Sequence, residues 1–149
     1  MQVMVIIKAT RASEAGELPS PELLSAMGQY NEELARAGVM VAGEGIQPSS
    51  KGKRVKFSGD KRIVRDGPFT EAKELVAGFY ILRVRSMDEA VEWVKRMPNP
   101  MPGEEPEVEI RPVFSADDFA ASDPTGEIRE AESRLRQQLA GQNQSKGEA

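Results

Sequence analysis

Apolar positions recur along the chain at two spacings, and their alternation lays out most of the expected elements. Residues 3–7 form an unbroken apolar run, the pattern of a strand buried on both faces. After a polar stretch at 11–19, Ser20-Pro21 reads as a helix cap followed by proline at the first helical position. Leu23, Leu24, Met27, Tyr30, Leu34 and Ala37 then share one helix face, and Gly38 stands where a C-terminal cap belongs. A second strand is expected over 39–46, where Gly43 and Gly45 mark a bulge or a close backbone approach. Val55-Lys56-Phe57 and Arg62-Ile63-Val64 flank the turn-rich Ser58-Gly59-Asp60-Lys61, which predicts a hairpin. Residues 79–84 are a further strand. Ser86-Met87-Asp88-Glu89 is a capping box opening a helix that turns Ala90, Val91, Val94 and Met97 inward, with Trp93 off that stripe. A proline-rich loop at 98–106 leads to the last strand, 108–113.

This order predicts an α+β fold, a ferredoxin-like βαββαβ sheet with an inserted β-hairpin and both helices on one face. The other face would carry Met4, Ile6, Met40, Ala42, Phe79 and Ile81. An uncovered apolar face on the order of several hundred Å² is unusual for a soluble monomer, so a homodimer is expected, two sheets closing a dimeric α+β barrel. That domain spans 1–114. Residues 115–149 form a C-terminal extension of different character. A narrow stripe of Ile128, Ala131, Leu135 and Leu139 predicts an amphipathic helix at about 124–140, ahead of a segment with the composition of a disordered tail.

Composition narrows the chemistry. The 149 residues contain neither cysteine nor histidine, which excludes disulfides, thiolate catalysis and the commonest general base and metal ligand. No loop has metal-site spacing, and neither a metal nor a cofactor is expected. A net charge of −4 argues against direct nucleic-acid binding. The basic cluster Lys51, Lys53, Arg54, Lys56, Lys61 and Arg62 reads instead as the solvated charge of the hairpin, with lysines guarding a sheet edge. No run approaches the roughly 18 apolar residues of a membrane helix, and a cytoplasmic protein is expected.

The candidate chemistry gathers around residues 63–85, where two strands are joined by a polar loop made rigid at Gly67-Pro68. Asp66 is a candidate base or ligand-binding carboxylate, or else the cap of an Asx turn. Glu71, Lys73 and Glu74 form an alternating charge constellation: Lys73 to hold an anion, a glutamate to move a proton. Glu44, between two glycines in a strand, is either a catalytic carboxylate or the partner of Arg83 or Arg111. Tyr30 falls on the inward helix stripe with its hydroxyl at a pocket edge, and Phe69 completes the loop. The candidate catalytic residues are thus Glu44, Asp66 and Glu71, and the candidate ligand-binding residues Tyr30, Phe69, Lys73, Glu74 and Arg83.

The strings Ala42-Gly43-Glu44-Gly45-Ile46, Asp66-Gly67-Pro68-Phe69-Thr70-Glu71-Ala72-Lys73-Glu74, Gly78-Phe79, Ser86-Met87-Asp88-Glu89-Ala90 and Glu109-Ile110-Arg111-Pro112-Val113 together resemble the YCII-related, DGPF-domain proteins. The resemblance covers residues 1 to roughly 114 and implies a dimeric α+β barrel. The wider group includes enzymes with a His–Asp pair in a pocket, some with lyase-like chemistry. The position of that histidine falls near Met27, so this mechanism does not carry over. The bacterial DGPF proteins also accompany extracytoplasmic-function sigma factors, which implies a regulatory partner, with Trp93 or the C-terminal helix as its docking surface. The expected function is small-molecule binding near the DGPF loop. The alternatives are a cofactor-free lyase or isomerase using a carboxylate base, and a sigma-factor partner.

Overall fold

The structure is a computed structural model and describes residues 1–147, the side chain of Lys73 excepted. It divides into two compact units, Met1–Val113 and a second that begins at Phe114. The first unit contains β1 (Gln2–Lys8), α1 (Arg11–Glu14), α2 (Pro21–Arg36), β2 (Met40–Gly45), β3 (Lys53–Ser58), β4 (Lys61–Asp66), β5 (Val76–Arg83), α3 (Met87–Lys95) and β6 (Val108–Pro112). β2, β5, β1 and β6 form an antiparallel sheet in that order, and β3 and β4 pair separately as a two-stranded ribbon. This is the ferredoxin-like α+β architecture with its inserted hairpin.

The period-2 pattern decides which sheet face is covered. Val3, Val5 and Ile7 of β1 and Tyr80 and Leu82 of β5 are buried against Tyr30 and Leu34 of α2 and Ala90 of α3. Met4, Ile6, Phe79 and Ile81 fall on the opposite face, half-buried. Met40 departs from expectation. The β2–β5 register shifts between Met40 and Ala42, so Met40 packs on the core while Ala42 stays on the other face opposite Ile81. A bulge adds one residue to one strand and thereby flips the alternation on either side of it.

The local chemistry fixes the helix ends. Ser20 Oγ accepts the Leu23 N–H at 3.1 Å, and Pro21 opens α2. Gly38, with φ of 69°, takes the left-handed turn beyond it. At α3, Ser86 Oγ accepts the Glu89 N–H at 3.1 Å, while the Glu89 carboxylate reaches one residue further back, to the Arg85 N–H at 2.7 Å. Trp93 is half-buried against the core, its carbonyl accepts from the Tyr30 hydroxyl, and Arg96 lies over its ring at 4.5 Å. The 11–19 stretch is not all loop, because Thr10 and Ser13 cap each other and start α1.

In the second unit, Asp123 is buried and accepts from the Ile128 and Arg129 N–H groups and from Arg129 Nε, anchoring α4 (Glu127–Gly147). Those bonds, led by the Arg129 N–H, hold its carboxyl below the ordinary aspartate value. α4 runs on through residues that the composition had placed in a tail. Ion pairs between Glu130 and Arg134 and between Glu132 and Arg136 support it at i,i+4 spacing. Among the described residues, no helix is long and apolar enough to cross a membrane.

Candidate functional site: the cleft beside Phe69

The DGPF loop does not stand free. It is stitched to the segment after β2 by a short chain of hydrogen bonds. The Gly67 N–H donates to the Gly52 carbonyl at 2.9 Å, and the Phe69 N–H donates to Ser49 Oγ at 3.0 Å. The Ser49 hydroxyl in turn donates to Glu14 Oε2 at 2.5 Å, while the Ser49 N–H donates to Glu14 Oε1 at 3.0 Å. A Cβ on Gly67 would collide with the Ser49 carbonyl oxygen, so the two loops approach more closely than any other residue at 67 allows. The Gly67-Pro68 peptide is cis.

This stitching builds one wall of an open cleft of about 570 Å³. Ile46, Leu75, Val76 and the Phe69 ring supply apolar surface, and Lys51, Lys53 and Arg54 supply positive charge. Not all the charge is available to a ligand. Both Glu14 oxygens already accept from Ser49, and Lys53 forms an ion pair with Asp66 on the facing strand of the ribbon. The Arg54 guanidinium stacks on the Phe69 ring at 3.9 Å. Stacking occupies its face and leaves its N–H edge free to donate. Arg54 and Lys51 are therefore the donors through which the cleft can hold an anion.

Of the sequence candidates whose side chains are described, only Phe69 lines the cleft. Tyr30 lies on the helix side of the sheet. Its hydroxyl donates to the Trp93 carbonyl at 2.8 Å, and its ring meets Tyr80 edge-on at 6.1 Å between centroids. Burial, reinforced by Tyr80, pushes the Tyr30 hydroxyl up to about 12, and burial raises Tyr80 as well. Glu44 sits on the opposite sheet face across from Phe79, exposed, with no ion pair among the described residues. It lies on the sheet's edge strand, where solvent satisfies the charge and no buried arginine is needed. Arg111 instead approaches Glu109, which also pairs with Lys8. Arg83 is exposed at the far end of β5 beside Gln2. Glu71 and Glu74 are exposed around a short 3-10 turn, Ala72–Glu74. The Lys73 side chain lies outside the described residues.

Pattern reasoning missed Glu14, Ser49, Lys51 and Arg54 as site residues. Lys51 and Arg54 stood inside the basic cluster, but nothing local shows which cations of a ribbon turn toward a loop. Glu14 and Ser49 meet across 35 positions, and that is a tertiary contact. The one local sign was Thr10 three residues ahead of Ser13, a cap that starts α1 and so aims Glu14. Among the described residues, no group of three or more acidic side chains is arranged to hold a metal ion.

Comparison with known proteins places the chain. The model of the YCII-related domain matches residues 1–115. The uncharacterized protein R00369 of Rhizobium meliloti (strain 1021) is 31% identical over 90 residues, which is 60% of this chain and 69% of that protein. A solved structure, 5-chloro-2-hydroxyhydroquinone dehydrochlorinase (TftG) from Burkholderia phenoliruptrix AC1100 in complex with 2,5-dihydroxybenzoquinone, is 18% identical. It covers 78% of this chain and 98% of its own, with a TM-score of 0.39, a likeness too loose to carry an activity across. With its model matched over the whole sheet-and-helix unit, the chain belongs to the YCII-related domain family.

Proposed function

We propose that the protein binds a small molecule with an apolar body and an anionic group in the cleft beside Phe69. The observation that carries this reading is the division of charge within the lining. Glu14 and Lys53 are each matched by a protein partner, whereas Lys51 and the N–H edge of Arg54 remain directed at the cleft alongside Ile46, Phe69, Leu75 and Val76. Pockets that combine apolar walls with a few fixed polar groups are the usual form of a small-molecule site. A guanidinium held flat by an aromatic ring is ordered before a carboxylate arrives, which lowers the entropic cost of the contact.

Binding is favoured over catalysis because the carboxylates suited to proton transfer lie elsewhere. Glu44, Asp66 and Glu71 are each exposed, and none of them lines the cleft. Glu14, the carboxylate in the cleft lining, already accepts from two donors. The experiment is a titration of small aromatic and aliphatic acids against their amides, followed by calorimetry and by the chemical shift of the Phe69 amide. Acids should bind, amides should bind at least about tenfold more weakly, and Arg54→Ala should remove most of the difference. Equal binding of acids and amides, or an unmoved Phe69 amide, rules the reading out.

A further inference from the structure

We infer that the cleft continues along one face of the β3–β4 ribbon and that its ligand is an organic diphosphate or longer phosphate ester. The apolar body rests beside Phe69, and the phosphates run out over the ribbon. This rests on the binding reading above and names the class of anion. The two ribbon faces differ in how their charges are met. On one, Lys53 pairs with Asp66 and Arg62 lies over Phe57 at 4.4 Å, with Val55 and Val64 between them. On the other, Arg54 stands directly across from Arg65, Lys56 across from Ile63, and Ser58 across from Lys61. Arg54, Lys56, Lys61 and Arg65 are all exposed and make no ion pair among the described residues. Like charges set directly opposite destabilise a ribbon, and an anion bound between Arg54 and Arg65 would offset that repulsion.

Arg54 belongs to both places. It lines the cleft with its guanidinium over Phe69, and it opens the basic face of the ribbon. At roughly 3.3 Å per residue, Lys56 lies about 7 Å beyond it and the level of Lys61 about 13 Å beyond, with Arg65 about 5 Å to the side on the next strand. Together with Lys51 at the cleft end, these cations line one short track. A lone carboxylate carries a single charge and leaves most of them to water. A phosphate monoester carries about −1.5 to −2 at neutral pH, and a chain of phosphates matches the density of the track. The rest of the molecule limits how long that anion can be. Residues 51–66 contain seven cations and two aspartates, a net +5, within a chain of −4, so the remainder carries −9. A nucleic-acid strand reaching past the ribbon would meet a repulsive body, whereas a tail of a few phosphates ends within the track.

Calorimetry with ligands that share one body tests the class: phenylacetate, benzyl phosphate and benzyl diphosphate. Phenylacetate reports the cleft alone. Benzyl diphosphate should bind at least about tenfold more tightly than phenylacetate, with benzyl phosphate between them, and its affinity should fall more steeply as salt rises. Lys56→Gln/Lys61→Gln/Arg65→Gln changes residues that do not line the cleft. It should weaken benzyl diphosphate at least about fivefold and leave phenylacetate within about twofold, which also shows that the variant is folded. A diphosphate no tighter than phenylacetate, or a gain that survives the triple variant, overturns the inference while the cleft reading stands. Inorganic triphosphate that binds as tightly as benzyl diphosphate overturns it too, since the apolar body then adds nothing. A short oligothymidylate that displaces benzyl diphosphate from wild type and fails to bind the triple variant overturns it and assigns the track to nucleic acid. If none of the benzyl ligands or phenylacetate binds, the cleft reading falls and takes the inference with it.

Discussion

Two regions of this molecule are built from the same pairing and end in opposite states. In the sheet, Val5 sits between Tyr80 and Ile110 and is fully buried. In the ribbon, Val55 pairs with Val64, and the two are 51% and 59% exposed. Both regions are antiparallel and rich in β-branched residues. The difference is the layer of helices over one and not the other. Strand propensity decides that both become strands, but burial decides which of them contributes stability. The ribbon is thereby free to carry charge, and the sheet is not.

The largest expected effect would break this contrast if it failed. Leu82→Ala removes a side chain with 1% exposure at the centre of the core and should cost about 2–5 kcal/mol in urea unfolding. Val64→Ala in the ribbon should stay within about 0.5 kcal/mol. Comparable losses at the two sites would mean that the Val55–Val64 face of the ribbon is packed against something in solution.

Next in size is a pH effect confined to the helix-covered side of the sheet. The Tyr30 hydroxyl is raised from 10.0 to about 12 in the folded chain. Its contribution is complete below pH 10, where both folded and unfolded chains keep the proton. It is lost between about pH 10 and 12, where only the unfolded chain ionises, and amounts to about 2–3 kcal/mol. Tyr30→Phe should remove most of that alkaline loss and leave cleft affinity unchanged. A change in affinity would return Tyr30 to the site.

How much of this was legible in the sequence follows the same divide. The helices, the hairpin and the order of the elements could be read because each depends on neighbours within a few residues: Ser20 with Leu23, Ser86 with Glu89, Gly59 at a positive φ of 57° in the ribbon turn. The face of Met40 could not, because a one-residue bulge inverts parity with no mark in the pattern. The DGPF string marks a loop that borders a cleft, yet of its residues Phe69 lines the cleft, and the partners that position it come from α1 and from the segment after β2. Contacts closed over 20 and 35 positions leave no periodic trace.

Between these regions lies the seam where loop meets sheet, and Gly67→Ala tests it. The added Cβ would strike the Ser49 carbonyl oxygen, which belongs to the backbone and cannot rotate away. The two loops must separate, at a cost of about 1–3 kcal/mol. The Phe69 and Ser49 amides should lose hydrogen-exchange protection while the β1 amides keep theirs. Ser49→Ala should give a milder form of the same signature, about 1–2 kcal/mol, since the Ser49 N–H still reaches Glu14. Intact protection at Phe69 in both variants would dissolve the stitched wall of the cleft.

The smallest effect separates two roles for Asp66. As an exposed partner of Lys53, with side chains 75% and 66% exposed, it adds no more than about 1 kcal/mol to stability. Asp66→Asn should therefore leave the unfolding midpoint nearly unchanged. It should also release the Lys53 ammonium to the cleft, adding a third cation to those of Lys51 and Arg54. Acid ligands should then bind about two- to fivefold more tightly, and the gain should fade as salt rises. A carboxylate that contacted the ligand as a base or a hydrogen-bond acceptor would show the opposite, weaker binding with little dependence on salt. The sign of the change thus tells whether the acidic residue of the DGPF string acts on the ligand or on the lysine beside it.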